Sequence, residues 1–276
     1  MLIQRKNLNK KIVLARSFFK THGYLIIKNT FKKSLLKEIE KTIIYSLNKY
    51  IKLDLKKIIS LDDPYFHTKL ISLRKKSSKK FSLFFDTIQT SSSCFRFWNS
   101  NEILSVIEKI SKTKHHFLST NDILTRFDSP LDRKNQLEWH QDSAYFRQNS
   151  DNRNAINCWT TFINCKFEMG PLEFIDKSHK LGMLNYKKKR IVNFGSLIKG
   201  IDNKYIENSK VKQFELNVGD LLLLNMDTIH RSGNNISKKF RISGLCRYHK
   251  ILTKCFNPGL NVYRYSNKKL NDKVHN

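Results

Sequence analysis

The sequence predicts a mainly β fold, an antiparallel barrel or jelly roll, with flanking helices and a helical N-terminal third. Three observations predict it. In the first third, apolar residues recur at helical spacing. From about residue 118 onward, short segments rich in β-branched and aromatic residues alternate with turn signals. No repeat or linker divides the chain, so its 276 residues read as one domain, 1–276.

Taken in order, "FFKTHGYLIIKN" (18–29) reads as a helix end, a break at Gly23 and a short strand. Phe31, Leu35, Leu36, Ile39, Ile43, Ile44 and Leu47 then fall on one face of an amphipathic helix. Further helices are expected over 67–90 and 102–112, with "SSSC" (91–94) as a loop between them. The expected strands are "DILTRF" (122–127), "LEWHQDSAYF" (137–146), "AINCWTTFINC" (155–165), "PLEFI" (171–175), "KQFELN" (212–217), "DLLLLN" (220–225) and "FRISGLCRYH" (240–249). Turn signals stand between them: Ser129-Pro130, Gly170-Pro171, Gly219-Asp220 and the Gly233-Asn234-Asn235 run.

Hydrophobic residues make up 39% and aromatics 12%, enough for a sizeable core, and 9 Gly with 4 Pro leave little material for disordered linkers. The net charge of +29 invites a nucleic-acid partner. Yet the basic residues are scattered. The runs "RKKSSKK" (74–80) and "KKKR" (187–190) lie between apolar segments, and no zinc-finger, homeodomain or RNP pattern accompanies them. A solvated basic surface, or attraction of an anionic substrate, is the better expectation. Cys94, Cys158, Cys165, Cys246 and Cys255 form no CxxC, which fits buried thiols in a reducing, cytoplasmic setting. The start, "MLIQRKNLNKK", has no apolar signal core. The longest apolar runs, "YLII" and "LLLL", are strand-sized, so no membrane association is expected.

The chemistry starts at "EWHQDSAYF" (138–146). In a strand, His140 and Asp142 project from one face while Gln141 points away. Alone, this pair suits ordinary strand residues as well as a metal site. His230, in "MDTIHRSGNN" after the apolar "DLLLLN" segment, adds a second histidine. Two histidines and one carboxylate are the donor set of the facial triad in non-haem Fe(II) oxygenases, which leaves open positions on the metal. Arg241 follows eleven positions later on the next expected strand, where a guanidinium can fork onto a carboxylate.

With these residues in view, the sequence resembles the phytanoyl-CoA dioxygenase family of Fe(II)- and 2-oxoglutarate-dependent oxygenases. An ordered series carries the resemblance: "FFKTHGYLII", "WHQD" (139–142), "CWTTFINCKFEMGPLEFIDKSHK" (158–180) and "VGDLLLLNMDTIHRSGNNISKKFRISGLCRYH" (218–249). It covers about 17–250 and leaves 251–276 as a C-terminal tail. Met169 stands where the family often has Asn, and Asp176-Lys177 replaces a Pro-Gly before Ser178-His179. Both departures bear on loops at the substrate side.

The resemblance implies a double-stranded β-helix of the cupin-like type. It implies that His140, Asp142 and His230 bind Fe(II), with O2 taking a remaining position. It further implies that 2-oxoglutarate chelates the metal and sets its far carboxylate on Arg241 and the Ser232 hydroxyl, with Trp159 as a pocket wall. A carboxylate at 142 speaks against the halogenase variant, which has a small residue there. The implied activity is hydroxylation of a small-molecule substrate with release of succinate and CO2; desaturation, cyclisation or epimerisation is the alternative outcome. A non-catalytic basic binding protein on the same fold is the reading outside enzymology. Arg126, Tyr145 and Arg247, expected on strands near the site, are the candidates for meeting an anionic substrate. Gln141 and Asn234 are candidates for supporting contacts. His115-His116 is expected on a helix or loop surface and His179 in a turn hydrogen bond.

Overall fold

After the short strand β1 (Leu2–Gln4), helix α1 (Ile12–His22) ends where Gly23 takes φ 75°, a left-handed conformation that suits glycine, and the chain turns directly into β2 (Tyr24–Lys28). The computed structural model describes residues 1–114, 116–118, 123–132, 136–145, 155–190 and 197–251. The helical layer continues with α2 (Lys33–Tyr50), α3 (Pro64–Lys76), α4 (Ser78–Gln89), α5 (Ser92–Trp98) and α6 (Asn101–Ser111). The apolar stripe read from the sequence is the face that α2 buries, through Ile39, Ile43 and Leu47. The expected loop at 91–94 is instead the start of α5. The Ser91 hydroxyl caps it by accepting the Cys94 N–H at 3.2 Å, so the serines that suggested a loop serve as a helix start.

The β part comprises β3 (His116–Leu118), β4 (Leu124–Asp128), β5 (Ile156–Thr161), β6 (Glu173–Ile175), β7 (Lys187–Arg190), β8 (Leu197–Gly200), β9 (Val211–Gln213), β10 (Leu221–Asn225), β11 (His230–Arg231) and β12 (Arg241–Lys250). The large sheet runs β1-β2-β10-β5-β12-β3, with β4 also paired to β12. All its pairs are antiparallel except β1 with β2. A second sheet, β11-β6-β9, lies opposite it, and β7-β8 form a separate hairpin. Tyr24 of β2 meets Phe174 of β6 with ring centroids 4.7 Å apart, which packs the two sheets together. The result is the expected jelly roll with its helices outside.

Alternation along β12 separates the two faces of the large sheet. Tyr248 bonds through its hydroxyl to the Trp98 carbonyl of α5, so the even-numbered residues face the helices. Phe127 of β4 likewise meets Phe84 of α4 at 4.9 Å. The odd-numbered residues of β12, from Arg241 to Arg247, therefore face the barrel interior. One expected strand is absent: 137–145 pairs only at His140, opposite His230, and then coils into a 3-10 turn over Asp142–Tyr145. Side-chain and loop bonds replace ladder bonds there. The Ser143 N–H donates to the Met226 carbonyl at 3.1 Å, and the Gln141 amide donates to the Gly182 and Asp227 carbonyls. Among the described residues, no helix is long and apolar enough to cross a membrane.

Candidate metal centre

His140 and His230 are held opposite each other by the backbone. Each donates its N–H to the other's carbonyl, at 2.9 and 3.0 Å, and their rings lie 4.3 Å apart. The two imidazoles are oriented in the same way. His140 Nδ1–H donates to the Glu138 carbonyl at 2.7 Å and His230 Nδ1–H to the Thr228 carbonyl at 2.9 Å. A carbonyl only accepts, so each Nδ1–H is fixed on the backbone and each Nε2 faces the interior, the nitrogen that the neutral ring offers to a metal. Asp142 completes the group, with Oδ1 3.9 Å from His140 Nε2 and Oδ2 3.7 Å from His230 Nε2. All three residues are buried, and their donor atoms lie within 4.8 Å of one another. Two neutral nitrogens and one carboxylate oxygen at this spacing fit a divalent iron with three protein ligands.

The electrostatics suit ligation. Burial, reinforced by the neighbouring His230, pushes the His140 imidazolium down to about 3, so its nitrogen is free of a proton at neutral pH. Burial works against ionisation of Asp142. Arg247, followed by the two histidines, overcomes it and holds the carboxyl well below the usual range.

Two further side chains grip this carboxylate. Arg247 Nη2 donates to Asp142 Oδ1 at 2.7 Å, and Asn157 Nδ2 donates to Oδ2 at 2.6 Å. They sit directly opposite each other on β12 and β5. Arg247, expected at the substrate, is thus found on the metal-ligand candidate. Asn157 was not read from the sequence. Its only signal was its place two residues before Trp159, on the same face of β5.

At the other end of that face of β12, Arg241 is 2% exposed. Its Nε and Nη2 both reach Asp128 Oδ2, at 3.2 and 2.9 Å, and among the described residues Nη1 has only long contacts of 3.4 Å to the Met169 and Gly233 carbonyls. The fork expected for a co-substrate carboxylate is therefore engaged along one edge by the protein's own carboxylate. Arg126 Nη2 binds the other oxygen of Asp128 at 2.7 Å. Burial opposes the Asp128 charge, but Arg126 and then Arg241 hold its carboxyl well below the usual range. Asp128 also went unread; its signal was its alternation with Arg126 on β4.

Arg241, Ser232 and Asn234 line one cavity beside Asp128 and Gln136. A close backbone crossing builds it: Gly170 has φ 66°, and a Cβ there would lie 2.5 Å from the backbone of Gly233 and Asn234. Trp159 is buried opposite Leu245 on the interior face. Tyr145 ends the 3-10 turn and does not lie on a strand. Its ring stands edge-on to His140 at 6.1 Å, and it is 36% exposed. Gln141 is buried and points away from the histidines, gripping the Leu184 N–H in addition to its two carbonyls. His179 lies in a 3-10 turn, but its Nε2–H donates across to the Lys20 carbonyl of α1 at 2.9 Å and not within the turn as expected. His116 belongs to β3 and not to a helix or loop, because its backbone pairs with Lys250; His115 lies outside the described residues. Cys94, Cys158, Cys165 and Cys246 are buried free thiols, and Cys255 lies outside the described residues.

The family model for phytanoyl-CoA dioxygenase (PhyH) matches residues 19–243, well over half of the chain. The chain belongs to the phytanoyl-CoA dioxygenase family. As a member it is an Fe(II)- and 2-oxoglutarate-dependent oxygenase, an oxidoreductase. Solved structures share the fold of this family member. The apoform of EctD from S. alaskensis superposes with a TM-score of 0.60 at 13% identity, over 91% of this chain and 81% of that one. The epimerase SnoN, in complex with Fe3+, alpha ketoglutarate and nogalamycin RO, gives 0.57 at 12% identity, over 88% and 84%. The carbocyclase SnoK from nogalamycin biosynthesis gives 0.55 at 13% identity, over 95% and 92%. At such identities the likeness speaks to the fold.

Proposed function

We propose that this chain is a single-domain, cytoplasmic hydroxylase, spanning 1–276, that oxidises a small anionic molecule with Fe(II), 2-oxoglutarate and O2. The observation that carries the reading is the pair of Nε2 lone pairs aimed with Asp142 at one point, each fixed by an Nδ1–H bond to a backbone carbonyl. His140, Asp142 and His230 are the metal ligands. When bound, iron with 2-oxoglutarate and O2 supplies the oxidising power, releasing succinate and CO2.

The protein's own groups bind, orient and exclude water. Arg241 Nη1, whose contacts among the described residues are both 3.4 Å long, and the Ser232 hydroxyl receive the far carboxylate of 2-oxoglutarate. Asp128 keeps the guanidinium oriented from its other edge. Trp159 and Leu245 wall the interior with apolar surface. Tyr145, partly open and edge-on to His140, is the substrate-side contact, and Arg126 is a further anion contact from β4. The basic surface, with net charge +29, favours approach of an anionic small molecule; nucleic acid is not the partner we propose.

A second outcome of the same chemistry, epimerisation or ring closure, is favoured by one observation: SnoN and SnoK, an epimerase and a carbocyclase, share this fold. Product mass separates it from hydroxylation, which adds one oxygen. The reading is tested by titrating Fe(II) and then 2-oxoglutarate into the anaerobic protein. The expected result is a visible charge-transfer band that needs both. A folded protein that gives no band with either order of addition would overturn it.

A further inference from the structure

We infer that Arg247 is a positioning residue that acts through Asp142, limiting this carboxylate to one metal contact and so keeping a place for 2-oxoglutarate. The inference rests on the iron-site reading above and deepens it.

The geometry is that of a clamp with one donor per oxygen. Arg247 takes Oδ1 at 2.7 Å and Asn157 takes Oδ2 at 2.6 Å. The two donors are cross-strand neighbours in the large sheet, and Asn157 is paired on both sides, with Arg247 and with Leu224. Asp142 has no exposed surface, and the Arg247 side chain is 11% exposed. The oxygens are not equivalent. Each lies near one imidazole, Oδ2 3.7 Å from His230 Nε2 and Oδ1 3.9 Å from His140 Nε2, but Oδ2 carries a neutral donor whereas Oδ1 carries a cation. A divalent metal therefore meets Oδ2, and Arg247 retains Oδ1. A carboxylate so held cannot rotate to present both oxygens. A free one can, and it then takes a further metal position that the keto acid of 2-oxoglutarate needs.

Charge acts in the same direction. The Arg247 guanidinium lies next to the metal position. It repels a dication and attracts a dianion across a low-dielectric interior. The repulsion opposes metal uptake, the ionised state of Asp142 that Arg247 secures supports it, and the attraction favours co-substrate uptake. Arg247 should thus act on the co-substrate affinity far more than on the metal affinity, a pattern that damage to the fold does not produce.

The test uses Arg247→Met, which keeps an unbranched side chain of partial length without the charge. Metal-free protein is titrated anaerobically with Co(II), and the loaded protein with 2-oxoglutarate, following the visible absorption. In Arg247→Met the Co(II) dissociation constant is expected to stay the same or fall. That for 2-oxoglutarate is expected to rise about tenfold or more, the scale of one lost hydrogen bond to a charged group. The shape of the Co(II) spectrum is expected to change before any 2-oxoglutarate is added, as the second oxygen binds. Arg247→Lys, which restores a cationic donor, is expected to recover most of the 2-oxoglutarate affinity. Parallel weakening of both ligands, or no change in either, would overturn the inference. If the wild-type protein takes up neither Co(II) nor 2-oxoglutarate, the iron-site reading falls, and this one with it. If wild type binds both and Arg247→Met behaves identically, only the role of Arg247 is lost.

Discussion

The two ends of the barrel interior are built alike and differ in one respect. At one end Asp142 is gripped by Arg247 and Asn157; at the other Asp128 is gripped by Arg126 and Arg241. Both carboxylates sit among donors, Asp142 fully buried and Asp128 with its side chain 13% exposed, and both are held ionised by arginine. Asp142 also faces two imidazole nitrogens, and among the described residues no imidazole pairs with Asp128. The difference shows that an aspartate tied down by arginine is not thereby a ligand. It becomes one where neutral donors converge on it from the opposite side. At the other end, the same carboxylate–arginine pairing serves to aim an arginine.

The largest effect that tests this contrast is on turnover. His140→Ala removes a nitrogen without stripping any charge of its partner. Iron-dependent succinate formation should be abolished while circular dichroism and Tm stay near wild type; persistent activity would break the contrast at once.

Next come the two carboxylates compared with each other. Asp142→Ala and Asp128→Ala each leave a largely buried arginine without its carboxylate, and each should cost about 3 kcal/mol of stability, seen as a lower urea midpoint. Only Asp142→Ala should lose metal binding as well. Equal loss of metal by both would merge the two ends into one site. Arg241→Ala should leave metal binding intact and raise the apparent KM for 2-oxoglutarate roughly 10- to 100-fold, the scale of a charge-assisted contact. An unchanged KM would remove its proposed role.

The smallest effect concerns pH. Burial lowers His140 to about 3 and His67 and His249 to about 4, all below the ordinary 6.5. Unfolding of the metal-free protein then takes up protons between about pH 6.5 and pH 4. Its stability is full above pH 6.5 and falls as pH drops through that window. Denaturant midpoints measured from pH 7.5 to 4.5 should decline, and replacing His67, away from the metal, should flatten the curve in part.

Much of the fold was legible because it depends on local periodicity. The stripe from Phe31 to Leu47, the break at Gly23 and the apolar "LLLL" of β10 each announce their own burial. The failures occurred where side-chain bonds replaced backbone ones. Ser91 turned a presumed loop into a helix cap, and Gln141 with Ser143 turned a presumed strand into a 3-10 turn. His140, Asp142 and His230 were singled out by residue type and order, and the folded chain brings them together. Asn157 and Asp128 escaped because a polar residue in a strand reveals neither which face it occupies nor what stands opposite.

The sequence by itself determined the donor types, their order along the chain, the β-rich body behind a helical third and the family to which they belong. Those are properties of spacing and chemistry that survive without coordinates. The tertiary structure alone decided which arginine meets which carboxylate. Arg241 and Arg247 lie six residues apart on one strand, with the same chemistry and the same face. Only the register of β12 against β4 and β5 sets one opposite Asp128 and the other opposite Asn157, beside Asp142. Register is fixed by backbone hydrogen bonds and packing summed over the whole sheet, and no local stretch of sequence encodes it.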